Sequence, residues 1–375
     1  MDLSKVKKFD YMNYFKDIFL NKSIKISQKQ KISFFESLFN LLSSGIPITN
    51  SLSILSYQTK DKNLKQIILK ISKDLSKGKK MSESFADYQK SFSFFDIYMI
   101  KMGELTGKVS SSCESIKNRE EKNAELKSKV IGALIYPMIV VSLSIMMIIG
   151  FMTFVIPKVQ KMYDDAKVNL PSLTQNVINI SEFLQNNYII LIIIFICLIG
   201  GLITFKNHSQ TKIYFDKYVL KIPLFGSLIK KQILVVFTNT LGTLLQNGIN
   251  INEALDISKK SLNNAYYEKR IGEIISEISE GLPLSESMGI KKLKEGIEDD
   301  YFPIELASIV KIGEQTGKLP SLLLNIGNKF NREIDTIVKG LSTAIEPIVI
   351  IVVGLIVGTL VMAILLPFFN MVNVM

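Results

Sequence analysis

The sequence predicts an all-α membrane protein made of two homologous cytoplasmic helical bundles and three transmembrane helices. Three observations predict it: an internal duplication, three long uncharged stretches, and the lack of any alternating strand pattern. The duplication is direct. KMGELTGK at 101–108 returns as KIGEQTGK at 311–318, an offset of 210, while LLSSGI at 41–46 returns as LLQNGI at 244–249, an offset of 203. S-x-G-x-x-M-S-E-S-F at 76–85 also recurs at 279–288, so an insertion of seven residues between Met288 and Lys311 changes the offset. Repeats of this kind define the folding unit and are read before anything else.

The uncharged stretches run from Val130 to Pro157, from Phe183 to Phe205 and from Pro347 to the C-terminus. About 20 apolar residues span the roughly 30 Å of bilayer hydrocarbon, and core helices seldom stay uncharged over such a length. The mean hydropathy of +0.26, beside 21% charged residues, suits a few spans joined to sizeable polar domains. Of the 45 lysines and arginines, 24 lie up to Lys129, 18 lie between Lys206 and Lys339, and 3 lie in 157–187. Cations flanking the spans stay inside. Both polar domains are therefore expected in the cytoplasm, and 157–187 and the tail 367–375 outside. No apolar signal segment precedes residue 129. Cys113 and Cys197 fall in different environments, so no disulfide is expected.

Taken in order, 1–27 is an aromatic segment with no counterpart in the second copy. Residues 28–129 form the first bundle, 130–156 the first span, 157–187 the outer loop and 188–205 the second span. Residues 206–339 form the second bundle, and 340–366 the third span. Phe34, Leu38, Leu41 and Leu42 recur at helical steps, as do Phe237, Leu241, Leu244 and Leu245. Gly45 and Gly248 suit left-handed helix ends, and Thr49 and Asn252 are candidate caps for the next helix. Gly78 and Gly281 mark breaks, with Ser82 and Ser285 as helix starts. From Val109, and again from Leu319, no breaker precedes the membrane. One long stalk helix is expected in each copy, kinked at Pro137 and at Pro347. A separate amphipathic helix is expected near 172–186, and KIPLFG at 221–226 reads as a turn into the second bundle.

Catalytic chemistry lacks material. The chain has one histidine, His208, so histidine-based triads and zinc sites have no ligands, and no cofactor or metal is expected. GELTGK superficially resembles a phosphate-binding loop but fails on spacing. Three residues separate Gly103 from Gly107, no Ser or Thr follows the lysine, and no strand precedes. The structural reading makes Gly103 and Gly313 sites of close helix packing and Gly107 and Gly317 turns before the stalk. Glu104 and Glu314 are then carboxylates near the N-terminus of the next helix, or contacts at a domain or partner interface. The first domain has 24 cations against 14 acids, which matches attraction to anionic lipid better than nucleic-acid binding, since only three of the 45 cations are arginine.

The duplicated G-E-x-T-G-K, the L-L-x-x-G-I segment, the P-x-L-T of the outer loop, the K-I-P-L-F-G turn and the three-span layout together resemble the GspF/PilC family. These are the inner-membrane platform proteins of type II secretion systems and type IV pili. The resemblance covers about 28–375 and departs in Thr106 and Thr316, where many relatives have serine, and in a short N-terminal piece. It implies a bacterial inner-membrane protein, not an enzyme, that couples a cytoplasmic secretion or pilus ATPase to assembly of pilins or pseudopilins, for secretion, pilus biogenesis or competence. It also implies other inner-membrane assembly partners, a homo-oligomer, and no direct nucleic-acid contact. The alternative, a membrane transporter or channel component, lacks the ionisable midplane residues and broken helices of such folds.

Overall fold

Helix starts and stops in this chain are set by local chemistry that repeats across the duplication. The computed structural model describes residues 24–158, 160–161, 172–207, 209–223, 225–290 and 301–372. Most of the aromatic N-terminal segment, much of the outer loop including Pro171, His208, the insertion at 291–300 and the last three residues lie outside the described residues. Those described form helices and turns without a strand.

The first repeat holds α1 (Gln28–Ser43), α2 (Ile48–Gln58), α3 (Lys62–Ser76), α4 (Met81–Ala86), α5 (Phe94–Thr106) and the start of α6 (Val109–Gly150). Ser27 opens α1 with a capping box. Its hydroxyl accepts from Gln30 N–H at 3.3 Å, and the Gln30 side chain accepts from Ser27 N–H at 2.7 Å. Gly45 closes the helix at φ +81°, with Gly45 N–H on Leu42 O at 3.0 Å and Ile46 N–H on Leu41 O at 3.1 Å. This is the Schellman arrangement. Gly248 repeats it at φ +81°, with Gly248 N–H on Leu245 O and Ile249 N–H on Leu244 O. Asp61 and Ser93 cap α3 and α5 through the amides of Leu64 and Asp96.

Two expected caps sit elsewhere. Thr49 and Asn252 lie inside the first turn of their helices; the cap positions are Pro47, which offers no side-chain bond, and Asn250, whose side chain accepts from Glu253 N–H at 2.9 Å. The glycine releases the chain immediately, so the next helix begins two residues earlier than the threonine and asparagine suggested. Ser82 and Ser285 likewise lie one residue inside their turns.

After α6 the chain makes one wide turn, Phe151–Val155, then α7 (Ser172–Asn207) and α8 (Ser209–Val219). The second repeat holds α9 (Phe225–Gln246), α10 (Ile251–Ser261), α11 (Ala265–Ser279), a wide turn at Glu286–Ile290, α12 (Ile304–Thr316) and α13 (Leu319–Val372). The stalks start at Val109 and Leu319, and helix continues through Pro137, Pro347 and Pro367. The separate amphipathic helix at 172–186 is not formed. Residues 172–207 make one helix, because neither glycine nor proline interrupts the chain before Gly200.

One contact unit joins residues up to Ser128 with Ile229–Glu333, so it holds both repeats. Its first core packs Phe85 against Phe92 (centroids 4.5 Å apart) beside Phe34 and Phe35 (5.1 Å). The second core pairs Phe237 with Phe302 at 5.6 Å, the counterparts of Phe34 and Phe92, which lie 6.3 Å apart. Within this unit the repeats meet where α5 packs on α10.

The other unit comprises Lys129–Leu228 and Ile334–Met375. In it Val177 and Ile178 of α7 bury against Ile156, Phe151 and Met152, and Ser181 Oγ donates to Met152 O at 2.7 Å. Lys129 of α6 pairs with Asp335 of α13 at 3.0 Å. Among the described residues, Met138–Lys158 and Phe225–Gln246 are long and apolar enough to cross a membrane. Only 11% of the first is buried, against 56% of the second. Phe225–Gln246 is α9, whose Phe237, Leu241 and Leu244 are core residues of the second bundle.

Candidate functional site: the duplicated carboxylate corner

The repeated motif folds as a corner that ties three helices together. Gly103 lies inside α5, where a Cβ would stand 2.9 Å from Val109 Cα and 2.6 Å from Ser112 Oγ in the first turn of α6. In the second copy a Cβ on Gly313 would stand 2.8 Å from Leu319 Cα. Both glycines are therefore required by the close approach of the stalk. Gly107 and Gly317 end α5 and α12 in the left-handed region at φ +70°, and Lys108 N–H returns to Gly103 O at 2.8 Å. Thr106 and Thr316 turn their hydroxyls back to Met102 O and Ile312 O, each at 2.7 Å.

Glu104 and Glu314 do cap a helix, though not the next one. Glu104 reaches back to the start of α4. It accepts from Met81 N–H, from Ser82 N–H at 3.0 Å and from Ser82 Oγ at 2.6 Å. Glu314 accepts from Leu284 N–H at 2.6 Å and Ser285 N–H at 3.3 Å. The preceding helix end presents free amides and a positive dipole, so a carboxylate there satisfies donors that the short α4 leaves open. A carboxylate so occupied by donors is a structural clamp. Gly45 adjoins the same corner, since Ser43 and Ser110 hydroxyls share a hydrogen bond of 2.7 Å between the end of α1 and the start of α6. Gly248 occupies the corresponding end of α9. Pro137 and Pro347 lie in the other unit, on α6 and α13.

The structure adds a cluster that the motif search missed. Lys31 is buried between Asp96 and Glu120, the latter at 3.2 Å. Arg119 bonds Glu120 at 3.3 Å and lies 4.3 Å over the Phe95 ring, while Gln28 donates to Glu120 at 3.3 Å. In the second repeat the positions of Lys31, Asp96 and Glu120 hold Leu234, Leu306 and Phe330, all fully buried. The positions of Phe95 and Arg119 hold Glu305 and Lys329, which form an ion pair. A signal existed in the sequence: aligning the copies exposes three charged residues opposite three apolar ones.

Across the repeats, burial first and a hydrogen bond to Glu253 second hold the Tyr98 hydroxyl well above its ordinary range. A cleft of about 180 Å³ is lined by Arg119, Lys122 and Asn123 of α6 and Asn239, Thr240 and Thr243 of α9.

Comparison with known proteins follows the same duplication. The family model for type II secretion system protein F matches residues 34–157 and again 237–367, so each repeat with its stalk is one family domain. A type IV pilus assembly protein PilC from Thermus thermophilus is 29% identical, aligned over 91% of this chain and 82% of its own length. A protein transport protein HofC homolog from Haemophilus influenzae is 29% identical over 95% of this chain and 89% of its own. The type II secretion system protein F of Xanthomonas campestris is 26% identical over 91% and 82%.

Proposed function

We infer function from one premise: this chain belongs to the type II secretion system protein F family. It is a platform protein of a machine of the type II secretion or type IV pilus class. The observation that carries this is the double family match, which covers both repeats and both stalks.

We propose that it sits in the bacterial inner membrane with three spans, both repeats in the cytoplasm and 157–187 in the periplasm. Apolar side chains exposed along α6, α7 and α13, such as Ile145, Ile193 and Leu355, support lipid contact by all three helices. The lysine asymmetry supports the orientation. An impermeant thiol reagent should label Lys167→Cys in intact spheroplasts, where the periplasmic face is exposed; labelling that needs an opened inner membrane refutes the orientation.

The protein's work is transmission, without catalysis of its own. A secretion or pilus ATPase acts on the cytoplasmic repeats, and pilin-like subunits, with other assembly proteins, meet the membrane part. The stalk helices from Val109 and Leu319 support such coupling because a helix is stiff along its axis, and Pro137 and Pro347 are the positions at which each would bend. A two-glycine insertion at Asn123 tests this, since glycine costs about 1 kcal/mol per residue in a helix interior. Pilus assembly, secretion or transformation should fail at normal protein abundance. Normal activity at normal abundance refutes transmission through this helix.

A further inference from the structure

The two repeats meet through unlike faces, and this leaves one face of each kind uncovered. Within the chain, α5 of the first repeat packs on α10 of the second. Tyr98 bonds to Glu253, and Lys260 Nζ lies 5.7 Å from the centre of the Phe94 ring. The offsets of 203 and 210 give each residue of these two helices a counterpart. Phe94, Tyr98 and Met102 of α5 correspond to Ile304, Ser308 and Ile312 of α12. Glu253, Ile257 and Lys260 of α10 correspond to Asn50, Ile54 and Tyr57 of α2.

Exposure separates most of these pairs in one direction, though not the first, in which Phe94 is 47% and Ile304 37% exposed. Ile257 is 5% exposed, whereas Ile54 is only half-buried. Met102 is half-buried, whereas Ile312 is 51% exposed, and Tyr57 reaches 83%. Composition agrees with exposure. The helix α10 carries Glu253, Asp256, Lys259 and Lys260, while α2, ITNSLSILSYQ, carries no charge at all. A helix whose outward face carries no charge, in a chain with 45 lysines and arginines, is unusual for a solvated surface. Protein interfaces lose charged residues at their centre and gain tyrosine.

We propose that α12 of one copy packs on α2 of a second copy of this chain, reproducing between chains the contact that α5 and α10 make within one. Ile304 then receives Tyr57 as Phe94 receives Lys260, and Ser308 faces Asn50 as Tyr98 faces Glu253. Charge is removed on the accepting side as a set, so no ion is buried without a partner. The contact is heterologous, joining unlike faces, and every copy supplies one face of each kind.

This inference stands on the repeat geometry and does not depend on which machine the protein serves. The test uses the full chain in native membranes with Cys197→Ser and the buried Cys113 retained. One tagged copy carries Tyr57→Cys and a differently tagged copy carries Ile304→Cys. A mild oxidant should give a mixed-tag disulfide dimer with this pair and at least tenfold less when Leu69→Cys replaces Tyr57→Cys, since Leu69 is an exposed residue on α3. Equal or absent cross-linking overturns the proposal. In parallel, Tyr57→Glu should shift the mass of the detergent-solubilised protein toward the monomer by light scattering; an unchanged mass equally overturns it.

Discussion

The carboxylate of Glu104 accepts both the amide and the hydroxyl of Ser82, 22 residues earlier in the chain, at 3.0 and 2.6 Å. The same relation joins Glu314 to the amide of Ser285 at 3.3 Å. Replacing either glutamate by alanine should therefore free a helix N-terminus and cost about 1 kcal/mol, the usual worth of a cap. Thermal unfolding followed by circular dichroism in detergent checks this. Unchanged midpoints for both variants would show that the clamp holds nothing.

Glycine-to-alanine changes should divide by surroundings. Gly103→Ala and Gly313→Ala thrust a methyl group at the stalk backbone, and overpacking of this kind costs about 1–3 kcal/mol. Gly272→Ala meets only the flexible Lys259 side chain, at 4.0 Å. It should stabilise α11 by up to about 1 kcal/mol through helix propensity. The same melting experiment reads all three, and a destabilised Gly272→Ala with a neutral Gly103→Ala would reverse the assignment.

The buried charges around Lys31 should behave as a set. Lys31→Met leaves Asp96 buried without its cation, while Glu120 keeps Arg119, a loss of about 3–5 kcal/mol. The triple change Lys31→Leu, Asp96→Leu, Glu120→Phe imitates the second repeat and should recover most of that loss. A triple variant no more stable than the single one would show that the two cores are not interchangeable solutions.

Burial pushes the Cys113 thiol from an ordinary 9.0 up to about 12. A raised thiol pKa means less thiolate at any given pH, and thiolate is the reactive form. N-ethylmaleimide at pH 8 should leave Cys113 unmodified in the folded protein and alkylate it fully in urea, as read by intact mass. Rapid alkylation of the native protein would place Cys113 outside the core.

What was legible in the sequence was local. Gly45, Gly107 and their counterparts announced left-handed helix ends because glycine enters that region without a Cβ penalty. Val109 and Leu319 announced the stalks because each begins a long run without a breaker. Among the described residues, the three uncharged stretches fall on helices. What escaped was set by distant partners. Glu104 was read as a cap for the helix that follows, yet its amides come from α4, a contact that only the folded bundle creates. Thr49 and Asn252 were displaced as caps because the chain resumes helix at once after Pro47 and Asn250. The ion cluster escaped because its members lie between positions 31 and 120 and match no motif.

The unlike cores also bear on inheritance. Two halves encoded by related stretches of one gene are open to exchange of segments between them. A second repeat that received α1 in place of α9 would set the Lys31 ammonium among Leu306 and Phe330, with no buried carboxylate among the described residues of Ile229–Glu333 to meet it. A first repeat that received α9 would strand Asp96 in the same way. Segment exchange between the halves is therefore punished by unfolding, and the duplication, once its two cores diverged, became a one-way step.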